Sequence, residues 1–128
     1  TADPIVIAAY ARTPMGGMQG ALASVPATKL GAIAIQAAVE RAKVSPAAVD
    51  QVIMGCVLPG ALGQAPARQA SIGAGLPLST GATTINKVCG SGMKAAQIGA
   101  QQIALGDAEV VVVSTAIKRD NPDYFAFR

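Results

Sequence analysis

The sequence predicts an α/β fold built on a mainly parallel sheet, and two features carry that expectation. Short runs rich in Val, Ile and Thr alternate with longer stretches rich in Ala, Leu and Gln, in the order β-α-β-α-β-α-β. Such alternation buries helices against a parallel sheet. The run Glu109-Val-Val-Val-Val113 is apolar after its first residue, as expected of a strand covered on both faces rather than one.

Taken in order, Pro4-Ile-Val-Ile-Ala-Ala-Tyr-Ala11 reads as a first strand buried on both faces, ended by the loop Arg12-Thr-Pro-Met-Gly-Gly17. Thr28 to Ala42 has no internal Pro and few polar residues, so it reads as a largely buried helix. Ser45-Pro46 places a capping residue before a proline at the first helical position, opening a short turn. Gln51 to Val57 is a second strand, stopped by Pro59-Gly60, and Pro66 opens a second helix that runs to about Ala74, before Gly75 and Pro77. Thr83 to Asn86 is a third, β-branched strand. The helix from Ser91 to Leu105 carries Met93, Ala96, Ala100 and Ile103 as its apolar stripe and Lys94, Gln97 and Gln101 as its polar one, with Gly106 as the residue that ends it. From Lys118 to Arg128 the texture changes: five of the seventeen charges and three of the four aromatics fall there, so 118–128 reads as a tail or linker after a unit spanning 1–117.

Composition narrows the functional classes. The 128 residues are 52% hydrophobic but only 13% charged and 3% aromatic, about half the usual charged share. More apolar surface is present than one small domain hides, so burial against another domain or chain is expected. The ten basic residues are scattered, with no aromatic–basic interleaving, which argues against a nucleic-acid surface. No apolar run reaches the ~18 residues of a membrane helix, and Thr1-Ala-Asp-Pro4 lacks the pattern of a secretory leader. A reducing compartment is expected: the cytoplasm, with the mitochondrial matrix as the alternative. With two cysteines, no C-x-x-C and no His, a zinc site is not expected.

The chemistry concentrates in Asn86-Lys-Val-Cys89-Gly90-Ser91-Gly92-Met93-Lys94. Here a cysteine stands between the end of a strand and the start of a helix, followed by glycines that admit a tight turn. Unpaired amides and the helix dipole favour an anion at that place. A thiol there ionises more readily, and the thiolate is the nucleophile. The amides of Gly90, Ser91 and Gly92 are candidates for holding an oxyanion. The competing reading of Cys89 is a buried small hydrophobe. Gly90-Ser-Gly92-Met-Lys-Ala95 also satisfies a G-x-G-x-x-A dinucleotide fingerprint, with Glu109 as its acidic partner. Glu109, however, begins its strand, whereas the ribose lies at the far end. Cys56 reads as a core filler and Asp107 as solvated. Arg68 and Lys87 flank the loop and read as exposed, with phosphate or partner contact as the alternative.

The segments Ala11-Arg-Thr-Pro14, Ala27-Thr-Lys-Leu-Gly31, Gly63-Gln-Ala-Pro-Ala-Arg-Gln69, Gly73-Ala-Gly-Leu-Pro77 and Thr84-Ile-Asn-Lys-Val-Cys-Gly-Ser-Gly-Met-Lys94 resemble the N-terminal half of the thiolase family, nearly continuously from Ile5 to Val113. The resemblance implies part of a layered α-β-α-β-α architecture with Cys89 as the nucleophile. It further implies condensation of two acetyl-CoA to acetoacetyl-CoA and CoA through an acyl-cysteine, or the reverse thiolysis of a 3-oxoacyl-CoA. Coenzyme A thioesters would be substrates, with no permanently bound cofactor. The expected partners are further copies in a dimer or tetramer, or a complementing C-terminal half. Two departures stand out. Ser114-Thr-Ala-Ile117 replaces the family's Gly-Gly-Met-Glu-Ser stretch, and the half that supplies a Gly-His-Pro histidine and a second catalytic cysteine has no counterpart in these residues. A non-catalytic half serving in assembly is therefore a competing expectation, as is a dinucleotide-binding protein.

Overall fold

The structure, a computed structural model, describes residues 4–114 and the backbone of 123–127. Its elements are β1 (Ile7–Arg12), α1 (Ala27–Ala42), a short 3-10 turn (Pro46–Ala48), β2 (Gln51–Gly55), α2 (Pro66–Gly73), β3 (Gly81–Ile85), α3 (Ser91–Leu105), β4 (Val111–Ser114) and β5 (Asp123–Phe127). One five-stranded sheet has the order β1-β5-β4-β2-β3. β2 pairs in parallel with both β3 and β4, while β5 lies antiparallel between β4 and β1.

The side-chain period of two divides the sheet into two cores. Val52, Met54 and Val112 point to one face, where Ala34, Ile35 and Val39 of α1 and Ala67 and Ala70 of α2 cover them. Ile53, Val111 and Val113 point to the other face, under Ala95 of α3. Connection handedness explains the division. The paths β1-α1-β2 and β2-α2-β3 advance across the sheet in one direction, and β3-α3-β4 returns in the other. Right-handed crossovers must then put α3 opposite α1 and α2. The polar groups at the strand starts are tied together. The Asp50 carboxylate accepts from the amides of Glu109 (2.8 Å) and Val110 (3.1 Å), and the buried Thr80 hydroxyl donates to the Val49 carbonyl.

Four expectations need correction. β1 is not buried on both faces: Ile7 and Tyr10 are exposed, because β1 is the edge strand and α1 covers only one side. α1 is not largely buried but two-sided, with Ile33, Gln36 and Glu40 in solvent. On α3 the buried face is Ser91, Gly92, Ala95 and Gly99, whereas Met93 is exposed. The helix lies so close to the sheet that a Cβ on Gly99 would stand 3.0 Å from Val113 Cγ1 and 3.2 Å from Val111 Cγ1. Small residues, not large ones, mark that face. Lastly, Asp123–Phe127 is a strand of the sheet rather than tail or linker. Its aromatic-rich sequence suits a pleated surface. Residues 115–122, and with them the boundary drawn after 117, lie outside the described residues.

Candidate active site

Parallel α/β sheets bind ligands beyond the carboxyl ends of their strands, where the loops gather. Cys56 and Cys89 both leave that edge, after β2 and β3 respectively. Cys56 is buried, and its amide donates to the Ile85 carbonyl at 2.9 Å. Burial raises its thiol pKa above the ordinary 9.0, offset in part by a hydrogen bond with the Leu58 backbone. Its neighbourhood is a cavity of about 20 Å³ bounded by Thr28, Gly31, Met54, Leu62 and Ala67, room for about one water molecule.

Cys89 is exposed and stands two residues before α3. The turn that presents it is carried by Val88, with φ 47°, while Gly90 has an ordinary φ of −87°. Glycine is the expected site of such a turn, so the strain sits one residue before the thiol instead of one after. A β-branched residue in the left-handed region costs about 1–3 kcal/mol and persists only where its surroundings over-determine it. They do so here. The Asn86 Oδ1 accepts from the Val88 amide at 2.9 Å. The Ser91 hydroxyl accepts from the Lys87 amide at 2.8 Å and donates to the Val88 carbonyl at 2.6 Å. Asn86 Nδ2 reaches the Val57 carbonyl at 3.3 Å, linking this loop to the one after β2. Composition and motif spacing do not single out Asn86. An Asn two residues before a left-handed position is an Asx-turn signal that could have found it.

The amides at the helix start divide into two groups. Gly90 N–H donates to the Lys87 carbonyl and Ser91 N–H to the Val88 carbonyl, so both are committed to the loop. Among the described residues, the Gly92 and Met93 amides have no hydrogen-bond acceptor. These are the orphan donors of a helix N-terminus. Of the flanking cations, Lys87 is exposed, and Arg68 is half-buried: its guanidinium donates to the Leu78 and Thr80 carbonyls and fastens the α2–β3 loop. Asp107 is exposed, as expected. Glu109 lies at the amino end of β4, at the opposite edge of the sheet from Gly90. The dinucleotide reading fails on that placement. Thr84 of β3 supplies a further element, its hydroxyl accepting from the Ala67 amide at 3.0 Å and so capping α2, whose own N-cap residue makes no side-chain bond.

Comparison with known proteins fits this geometry. The family model described as "Thiolase, N-terminal domain" matches residues 5–116. The chain is 56% identical over 123 residues to acetyl-CoA acetyltransferase 2 of Arabidopsis thaliana, covering 95% of this chain and 30% of that protein. It is 52% identical over 124 residues to the mitochondrial acetyl-CoA acetyltransferase B of Xenopus laevis, covering 97% and 30%. A solved structure, the Acat5 thiolase from Ascaris suum in complex with coenzyme A, superimposes with a TM-score of 0.85 at 38% identity, over 88% of this chain and 29% of that one. The chain thus spans about 30% of the length of the curated relatives it matches. By its family match, and by the strand–loop–helix geometry around Cys89, the chain belongs to the thiolase family, as part of its N-terminal domain.

Proposed function

We propose that Cys89 is the nucleophile of an acyltransferase that condenses two acetyl-CoA to acetoacetyl-CoA and CoA, or runs the reverse thiolysis. The observation that carries this reading is an exposed cysteine held on a strained turn at the mouth of α3. In the first step Cys89 Sγ attacks the thioester carbonyl carbon, and the coenzyme A thiolate leaves as the acyl–sulfur bond forms. The unpaired Gly92 and Met93 amides support a role in holding the transient oxyanion, a role worth roughly 10²–10³ in rate per donor. In the second step the carbanion of another acetyl-CoA attacks the acyl carbon, and the Cys89 thiolate leaves. Removing the methyl proton requires a positioned base, worth roughly 10²–10⁴. This sequence contains no His, and family resemblance assigns the base and the second cysteine to the C-terminal half.

The relatives named as acetyl-CoA acetyltransferases and the coenzyme A complex of the Ascaris thiolase support this substrate class. No further resident cofactor enters the two steps. Exposed Tyr10, Met93 and Leu105 support burial against more protein, either a dimer or tetramer of the whole protein or its C-terminal half. The mitochondrial relatives support the matrix as location alongside the cytoplasm. No helix among the described residues is long and apolar enough to cross a membrane.

Incubation with acetyl-CoA followed by peptide mass spectrometry tests the proposal. An acetyl group on the Cys89 peptide, absent in Cys89→Ala, is expected. A polypeptide limited to residues 1–128 is expected to form the acyl-enzyme slowly and make no acetoacetyl-CoA. Acetylation at Cys56 alone would overturn it, whereas turnover by residues 1–128 that Cys89→Ala abolishes would overturn only the assignment of the base to the C-terminal half.

A further inference from the structure

The geometry points to Ser91 and Asn86 as positioning residues that hold the Cys89 thiol in its attacking place by clamping the strained Val88 backbone. This rests on the reading of Cys89 as nucleophile. The Ser91 side chain is completely buried, and its hydroxyl uses both of its capacities on two backbone groups that precede Cys89, the Lys87 amide and the Val88 carbonyl. Asn86 takes the remaining polar group of Val88, its N–H. The N–H of the left-handed residue is therefore held by the Asn86 side chain, and its carbonyl by the Ser91 hydroxyl at 2.6 Å beside the longer bond from the Ser91 amide at 3.2 Å; neither side chain has a hydrogen bond to the thiol. The buried hydroxyl also belongs to the first residue of α3, so the clamp fixes the loop to the same helix that carries the orphan amides. Weakening that hold would let the turn relax toward ordinary φ values and shift Cys89 relative to the start of α3. Misplacing a reacting atom by about 1 Å can cost on the order of a hundredfold in rate.

The test uses Ser91→Ala, Asn86→Ala, Val88→Gly and the two double variants with Val88→Gly, made in the intact protein and each checked by thermal melting. Two rates are read at Cys89: acetylation by acetyl-CoA and alkylation by iodoacetamide. Each single clamp variant is expected to slow acetylation by on the order of tenfold or more, with coenzyme A thioester saturation unchanged. Glycine adopts the left-handed region without strain. In the Val88→Gly background the same clamp substitutions are therefore expected to cost less than about threefold, a coupling that a purely structural role would not produce. Asn86 is exposed, so its substitution leaves the core intact if Ser91→Ala fails to fold. Wild-type rates in the folded clamp variants, or equal losses with and without Val88→Gly, would overturn the inference. If wild-type Cys89 is alkylated but never acetylated, the proposed function falls. The clamp still stands if alkylation shows the same coupling.

Discussion

Cys56 and Cys89 leave the same edge of one sheet, at the ends of neighbouring parallel strands, and meet opposite surroundings. After β2 the chain stays inside: the Cys56 amide extends the β2–β3 pairing through Ile85, and the thiol is buried beside a water-sized cavity. After β3 the chain turns outward through a strained residue, and the thiol stands in solvent before a helix start. Residue type and sheet edge are shared, so neither sets the chemistry; Cys56 directly follows β2, whereas Cys89 stands four residues beyond β3. What differs is the residues on either side. A left-handed residue and a helix beginning two positions later make one thiol a candidate reagent, while a loop running on to Pro66 leaves the other as packing.

The largest effect expected from this contrast is in turnover. Cys89→Ala should lower acetoacetyl-CoA formation by the intact protein by at least ~10³-fold, as loss of a covalent nucleophile does. Cys56→Ala should stay within a few-fold, as checked by steady-state assay; comparable losses would break the comparison. Next in size is labelling. At neutral pH iodoacetamide should modify Cys89 more than about tenfold faster than Cys56, since burial both shields the second thiol and disfavours its thiolate. Because the folded-state pKa of Cys56 is raised above 9.0, its labelling should keep climbing above that pH. The sign for stability follows. The folded chain keeps the proton that the unfolded chain releases, so the contribution from Cys56 is complete below about pH 9 and is lost as pH rises through the raised value.

A smaller change sharpens the comparison through packing. Gly99→Ala presses a methyl group against Val111 and Val113 and should cost about 1–3 kcal/mol, measured by denaturant unfolding. It should also slow Cys89 alkylation while leaving Cys56 alone, because α3 carries only the first site. The smallest effect belongs to Thr84→Val, which removes the borrowed cap of α2 and should cost about 1 kcal/mol, with Cys89 reactivity preserved.

Much of this arrangement is legible in the sequence. The bounds of α3 match the predicted Ser91 to Leu105, and Gly106 ends it with a left-handed φ of 80°. β4 is fully buried, as the run of valines implies. The setting of Cys89 is readable because a cysteine placed between a β-branched strand and a run of small residues falls where a tight turn meets a helix N-terminus. The rest fails for identifiable reasons. An apolar run does not say which layer covers it, so pattern alone over-buries β1. Counting large apolar residues on α3 selects Met93 and misses Gly92 and Gly99, because close approach to a sheet selects for absent side chains. The turn at Val88 is hidden because glycine is the usual bearer of positive φ. The anchoring of Arg68 is invisible because carbonyl partners ten and twelve residues away leave no local signal.

The cap that Thr84 lends to α2 also orders events in time. An eight-residue helix is far too short to persist alone in water. The group that satisfies its first turn arrives only when β3 has found its register beside β2. A slip of one residue would point the Thr84 hydroxyl to the opposite face, leaving α2 uncapped and displacing the cysteine five residues further on. The helix and the β2–β3 pairing therefore form and open together, and the slow-exchanging amides of α2 should lose protection in step with those of the β2–β3 ladder.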